Sequence, residues 1–164
     1  MVRRRIEDGA ELLARALQEA HAIDRALAER LCDVARQCTD AALRRAVERY
    51  VDAARDNVDR TEGLLDRSRA GPGHPALQGL LDEVDDVMDA TADPLLRDLA
   101  LGATVVAIER FETGRHRCLR DWAGRFGHAA AARVAARNGV ELDAVREMLD
   151  AAVGDLPTPR ATAA

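Results

Sequence analysis

Apolar side chains recur at alternating spacings of four and three residues along most of this chain, and no segment shows the strict alternation of a β-strand. At that spacing the apolar residues share one face of an α-helix. Helices with one apolar face must bury it against each other, and 164 residues are enough to close a single core. The sequence therefore predicts an all-α protein whose helices pack as a bundle.

Helix breakers and capping residues divide the chain into four long helices and one short helix. Residues 70–75 form the clearest breaker, and Asp93-Pro94 is a strong helix start because Asp caps a helix and Pro fits its first turn. The predicted long helices cover 6–37, 41–69, 94–125 and 129–153, and the short one covers 76–91. A crossover helix after the second long helix is typical of a ferritin-like four-helix bundle. We expect residues 1–154 to form this single bundle and residues 155–164 to form a disordered tail.

Charge and composition exclude several classes of protein. The net charge of -5 and the pI near 5.4 argue against nucleic-acid binding, which needs a basic surface. No run of about 18 apolar residues is present, as a membrane span would require, and no signal peptide is recognisable. Cys32, Cys38 and Cys118 lack a zinc-binding spacing and are typical of reduced thiols. We therefore expect a cytoplasmic protein with no nucleic-acid or membrane partner.

Three carboxylates interrupt the apolar stripes at mid-height. They are Asp24 on the first helix, Glu112 on the third long helix and Glu141 on the last. The three stripes are Leu13, Leu17, Ala20, Asp24, Leu27, Leu31 and Val34; Leu101, Val105, Ile108, Glu112, Arg115, Leu119 and Trp122; and Val134, Asn138, Glu141, Val145 and Leu149. A charged carboxylate in an apolar interior costs several kcal/mol unless it is paired, protonated or bound to a metal. The acids together therefore indicate a site inside the bundle.

Three short motifs in the middle of the chain resemble one bacterial family. The segment ALQGLLDE at 76–83 resembles the signature AMEGLIEE of the YciF-type ferritin-like stress proteins. LRDLAL at 96–101 is similar to that family's VRDAAL, and IERFE at 108–112 is similar to its VEHYE at the same distance. The resemblance extends more weakly over most of 6–153. It implies a four-helix bundle with a two-metal carboxylate centre and a function in the stress response.

The resemblance also implies a ligand set, of which this chain keeps only part. Asp24, Glu109, Glu112 and Glu141 stand at family positions that retain a candidate metal ligand. Elsewhere the chain departs from the family. Tyr50 and Ala53 replace a His and a Glu on the second helix, Arg146 replaces an Asp on the last helix, and His116 replaces a Tyr.

The spacing of Glu109, Glu112 and His116 places all three on one face of their helix. Together with Asp24 and Glu141 from facing helices, they would offer carboxylate oxygens and one imidazole nitrogen. That mixture suits iron or manganese, and bridging carboxylates can hold two such ions. The alternative is a salt-bridged or single-metal site, because the second helix offers no clear ligand. The predicted metal ligands are therefore Asp24, Glu109, Glu112, His116 and Glu141.

Two hypotheses from different functional classes remain open at this point. The first is an iron- or manganese-dependent metalloprotein, an oxidase or peroxide scavenger acting in oxidative stress, with the acids grouped and not neutralised by arginine. The second is a metal-free, non-catalytic bundle that acts by self-association or partner binding. It requires Arg110 or Arg146 among the acids and an apolar outer patch, for which Leu80, Leu81 and Val84 are candidates.

The roles of His116 and Tyr50 and the oligomeric state are interpreted separately from these two hypotheses. His116 is interpreted as a metal ligand or as a polar residue at a helix edge, and Tyr50 as a side chain that fills the volume of the lost His and hydrogen-bonds a carboxylate. We expect a homodimer on either hypothesis.

Overall fold

The computed structural model describes residues 6–65 and 74–158, which form five α-helices and no strand. These helices are α1 (Gly9–Gln37), α2 (Ala41–Glu62), α3 (Pro75–Ala90), α4 (Pro94–Arg125) and α5 (Ala129–Gly154). The predicted fold class is confirmed: four long helices form the bundle, and the short α3 lies between the second and third of them.

Aspartate side chains define where three of the helices begin. The Asp40 carboxylate accepts the backbone N–H groups of Ala42 and Leu43, both at 2.8 Å. Asp93 caps α4, as predicted, by accepting the N–H of Leu96 at 2.9 Å, and Asp8 caps α1. Each cap satisfies donors that a helix leaves unpaired at its first turn.

Two predicted boundaries differ from the structure by more than one residue. α1 begins at Gly9, after its Asp8 cap, three residues later than predicted. α2 ends at Glu62, and residues 63–65 form a turn, so the prediction of a helix as far as 69 is wrong. Most of the predicted breaker at 70–75 lies outside the described residues.

The core lies between two helix pairs. α1 packs chiefly on α2 and α4 on α5, while α2–α5 and α1–α4 contacts close the bundle and α3 packs mainly on α4. The buried side chains are mainly Leu, Val and Ala, with Tyr50 the largest that is fully buried. The apolar stripe predicted on α1 is buried along its whole length, Asp24 included.

The crossover helix α3 is amphipathic and turns its apolar face inward. Leu77, Leu81 and Val84 are buried in the main core, and Leu80 packs against it. The apolar outer patch suggested for this helix is therefore not formed. None of the described helices is long and apolar enough to cross a membrane.

A buried carboxylate fixes the connection between α1 and α2. Asp98 on α4 is 2% exposed and accepts three donors: the N–H of Thr39 at 2.9 Å, the hydroxyl of Thr39 at 2.6 Å and the N–H of Asp40 at 2.6 Å. α4 is thereby anchored to the turn that precedes α2. Beyond α5, Leu156 is buried against the core, so the chain remains packed into the first residues of the expected tail, whose disorder stays a prediction.

Candidate metal centre

Three predicted ligands meet in the middle of the bundle. Asp24 on α1 and Glu112 and His116 on α4 are at most 1% exposed. Each offers one ligand atom, and these atoms lie within 4.8 Å of one another. Nε2 of His116 is 3.2 Å from an oxygen of Asp24 and 3.8 Å from an oxygen of Glu112.

The second helix supplies hydrogen-bond donors to this cluster rather than ligands. The Tyr50 hydroxyl donates to one oxygen of Glu112, as the sequence suggested. The side-chain amide of Asn57 donates to the other at 3.4 Å. Asn57 was missed by sequence reasoning, although it lies seven residues after Tyr50 and therefore on the same helix face.

An arginine at the edge of the cluster orients Asn57. Nη1 of Arg60 donates to the side-chain oxygen of Asn57 at 3.1 Å and to that of Asn138 at 2.9 Å. Because the guanidinium occupies the amide oxygen, the NH₂ group of Asn57 is turned toward Glu112. The charge of Arg60 acts to lower the pKa of both Asp24 and His116.

Burial is the largest cause of the pKa shifts of Asp24, Glu112 and His116. It raises the pKa of Asp24 to about 7, while a hydrogen bond with Glu112 acts in the opposite direction. Burial and the adjacent Asp24 charge raise the pKa of Glu112 well above its usual range. Burial also lowers the pKa of His116. Without a cation, the cluster therefore contains a neutral imidazole and a protonated Glu112 hydrogen-bonded to Asp24.

Glu109 is buried but belongs to a different set of contacts. It is 1% exposed, accepts the Thr113 hydroxyl at 2.6 Å and lies 3.5 Å from Nε of Arg110. Burial raises its pKa, and the Thr113 hydrogen bond and the Arg110 charge oppose that effect. One turn of helix separates it from Glu112, yet the structure does not bring it into the cluster.

Glu141 lies at the side of α5 and pairs with two arginines. It accepts a hydrogen bond from Arg49, which holds its pKa below the usual range, and lies 3.0 Å from Arg137. The buried face of α5 runs through Leu142 instead, so a stripe centred on Glu141 is wrong. α5 continues through Gly139 without a break.

His116, not its neighbour Arg115, occupies the buried stripe of α4. The interpretation of His116 as a helix-edge residue is wrong, since its side chain is 1% exposed and contacts Asp24. Arg115 points outward and pairs with Glu19. The arginines considered for the acid cluster also pair elsewhere: Arg110 with Asp150 at 3.0 Å, and Arg146 with Asp143 at 3.0 Å.

Comparison with known proteins assigns the family. The sequence profile of the family described as "Domain of unknown function (DUF892)" matches residues 9–156. The chain belongs to this family. No curated protein matches it.

Two solved structures have the same fold as this DUF892 chain. YcfI from Rhodopseudomonas palustris is 24% identical, with a TM-score of 0.84 over 92% of this chain and 98% of its own. The E. coli stress protein YciF is 21% identical, with a TM-score of 0.83 over 91% of this chain and 97% of its own. The resemblance to YciF-type proteins is thereby confirmed.

The donor set in this DUF892 chain fits one metal ion. Two carboxylates and an imidazole suit iron or manganese. Oδ2 of Asp24 has no hydrogen-bond partner among the described residues apart from the Glu112 carboxyl. Such groups are costly to bury without a cation or a proton. Glu109 and Glu141 lie outside this group of ligands: Glu141 pairs with two arginines, and Glu109 contacts Thr113 and Arg110, although its Oε2 accepts no hydrogen bond among the described residues.

Replacing Tyr50 with Phe tests the hydrogen bond that supports Glu112. The change leaves the ring in place but removes the only hydroxyl that contacts that carboxyl among the described residues. We expect the free energy of unfolding of the metal-free protein to fall by about 1–3 kcal/mol, measured by urea titration, since a buried acceptor loses its donor. An unchanged free energy would contradict the bond.

Proposed function

We propose that this protein is a ferritin-like stress protein that holds one iron or manganese ion with Asp24, Glu112 and His116. The observation that carries the proposal is the convergence of three ligand atoms within 4.8 Å at fully buried positions of two helices. A role in the stress response, which we propose is oxidative, is supported by the fold shared with YciF, which is itself described as a stress protein. The free cysteines support a cytoplasmic location.

Each residue of the cluster has a defined part in this proposal. The imidazole of His116 is already neutral, because burial lowers its pKa, so it can donate its Nε2 lone pair. Asp24 and Glu112 must give up the proton they share, and a divalent cation offsets the two charges that result. Tyr50 keeps its hydrogen bond to Glu112 and orients that carboxylate. A bound iron or manganese ion would supply one-electron redox chemistry.

A single ion is proposed because the remaining acids have other partners, although Oε2 of Glu109 accepts no hydrogen bond among the described residues. Glu109 has Thr113 and Arg110, and Glu141 has Arg49 and Arg137. On α2, Tyr50 and Asn57 present donors to Glu112, and an O–H or N–H donor does not bind a cation. The two-metal form implied by the resemblance therefore lacks a ligand from α2 and from Glu141 here.

Metal content by mass spectrometry tests the proposal. Untagged protein is reloaded anaerobically with Fe(II), and separately with Mn(II), and then desalted. We expect one ion per chain, because the part of the chain that the structure describes offers one set of three ligands. Glu112→Gln should weaken binding by more than the roughly 10–100-fold that the loss of an outer hydrogen-bond partner costs.

Glu141→Gln is the matched control, since it changes the same side chain outside the cluster and should retain the ion. Two ions per chain would contradict the single-ion site in favour of a dinuclear one. The absence of tightly held metal in the wild-type protein would favour the metal-free hypothesis.

A further inference from the structure

The hydrogen bonds that lead out of the cluster of three ligands reach solvent at Arg60. Asn57 donates to Glu112 at 3.4 Å, and its side-chain oxygen accepts from Nη1 of Arg60 at 3.1 Å. Asn57 is fully buried, whereas the Arg60 side chain is 23% exposed. Tyr50, the other donor to Glu112, is fully buried and makes no further side-chain hydrogen bond among the described residues. Arg60 therefore lies between the cluster and water.

The Arg60 guanidinium occupies a position that suits a metal cation. Besides Asn57, its Nη1 atom contacts the side-chain oxygen of Asn138 on α5 at 2.9 Å, and its Nη2 atom donates to the Asp56 carboxylate at 3.2 Å. Both asparagines are fully buried, and the Asp56 side chain is 60% exposed. Two amide oxygens and a carboxylate are ligands that manganese and similar hard cations accept. The guanidinium therefore fills an oxygen-lined cation site between the surface and the cluster.

The orientation of Asn138 indicates that contact with a positive charge decides how this amide is placed. Its NH₂ group is buried and has no acceptor among the described residues. Turning the amide over would bring that group against the guanidinium of Arg60, which carries donors and no acceptor. A buried donor without a partner is costly. The side chain nevertheless leaves its NH₂ group unpaired while its oxygen contacts a cation, so this oxygen is oriented for a positively charged partner.

We propose that these three side-chain oxygens form the entry site through which a divalent cation reaches the cluster, and that Arg60 keeps this site closed until the cation displaces it. The inference rests on the proposed metal binding by the cluster. Asp56 at the exposed end attracts the cation, and the guanidinium moves into solvent, to which its side chain already has access. The amide oxygens are neutral and lack the charge of the cluster, so the ion passes on to the two carboxylates and the imidazole.

The rate of Mn(II) uptake by the metal-free, full-length chain tests this proposal. Loss of the electron paramagnetic resonance signal of free Mn(II) measures uptake over time. We expect Arg60→Ala to load about tenfold faster than wild type or more, and to the same one ion per chain, because a fixed positive charge no longer blocks the entry site. Arg60→Gln keeps a donor for the amide oxygens without the charge and should also load faster. Arg60→Lys keeps the charge and should stay near the wild-type rate.

Arg55→Ala is the matched control for these variants. Arg55 is also on α2 and lies 3.6 Å from the Asp52 carboxylate, as Arg60 lies close to that of Asp56, but it is outside the entry site. Its removal should leave the rate of Mn(II) uptake unchanged. Circular dichroism of each variant confirms that the helical bundle is retained.

A double variant addresses the amide oxygen itself. Adding Asn138→Ala to Arg60→Ala should lose most of the gain in uptake rate, since the open entry site then lacks one of its oxygens. If wild type and Arg60→Ala each bind one Mn(II) at the same rate, the entry site is wrong while the proposed metal binding stands. If neither protein binds Mn(II), the metal binding is wrong and the entry site is overturned with it.

Discussion

Replacing Asp98 with alanine is expected to lower the free energy of unfolding by about 3–5 kcal/mol. The carboxylate is buried and accepts three donors from Thr39 and Asp40 at the start of α2. Alanine would leave two backbone N–H groups and a hydroxyl without their acceptor. It would also release α4 from the turn between α1 and α2. Urea titration followed by circular dichroism measures the loss.

Asp93→Ala is the matched control for this substitution. Asp93 also accepts a backbone N–H as a helix cap, that of Leu96, but it is exposed. Water can replace that bond, so the expected cost is about 1 kcal/mol. If Asp98→Ala were no more destabilising than Asp93→Ala, the proposed anchoring of α4 by Asp98 would be wrong.

Asp24→Asn should change how the stability of the metal-free protein depends on pH. Burial raises the Asp24 pKa from the ordinary 3.8 to about 7 in the folded protein. Between these values the unfolded chain binds fewer protons than the folded one, so the Asp24 contribution to stability falls as pH rises. Asparagine does not titrate. We therefore expect the variant to gain on the order of 3 kcal/mol relative to wild type between about pH 4 and about pH 8.

The measurement is urea unfolding of both proteins in chelator at several pH values. The difference between the two proteins isolates Asp24 from His116, whose lowered pKa acts in the opposite direction by costing stability as pH falls below its unfolded value. Glu141→Gln provides a contrast. Its carboxylate has a lowered pKa, so removing it should cost stability at neutral pH and not at low pH. A pH-independent difference between wild type and Asp24→Asn would refute the buried titration.

The starts of α2 and α4 and the first apolar stripe could be predicted because their causes are local. Asp93-Pro94 specifies a helix start by its own side-chain bond and its fixed φ angle, with no contribution from distant residues. Apolar residues before and after Asp24 follow the same helical spacing, so only one face of α1 can be buried. Asp24 was placed correctly for that reason.

The faces of α4 and α5 could not be assigned from their own sequences. Arg115 and His116 are adjacent, as are Glu141 and Leu142, and a rotation by one residue, about 100°, exchanges which of the two is buried. On α5, abundant alanine leaves the apolar face poorly defined. Contacts with α2 and α4 select the face that buries Leu142, and Arg49 on α2 then pairs with Glu141.

Sequence alone determined the all-α bundle, its order of helices, its family and the presence of Asp24 and Glu112 in the interior, because periodicity and caps act over a few turns of one helix. Only the tertiary structure decided which acids share a site. Whether a carboxylate meets an imidazole, as Asp24 does, or an arginine, as Glu141 does, depends on side chains from other helices. The distances between these side chains are set by how the helices pack and not by the spacing of residues along the chain.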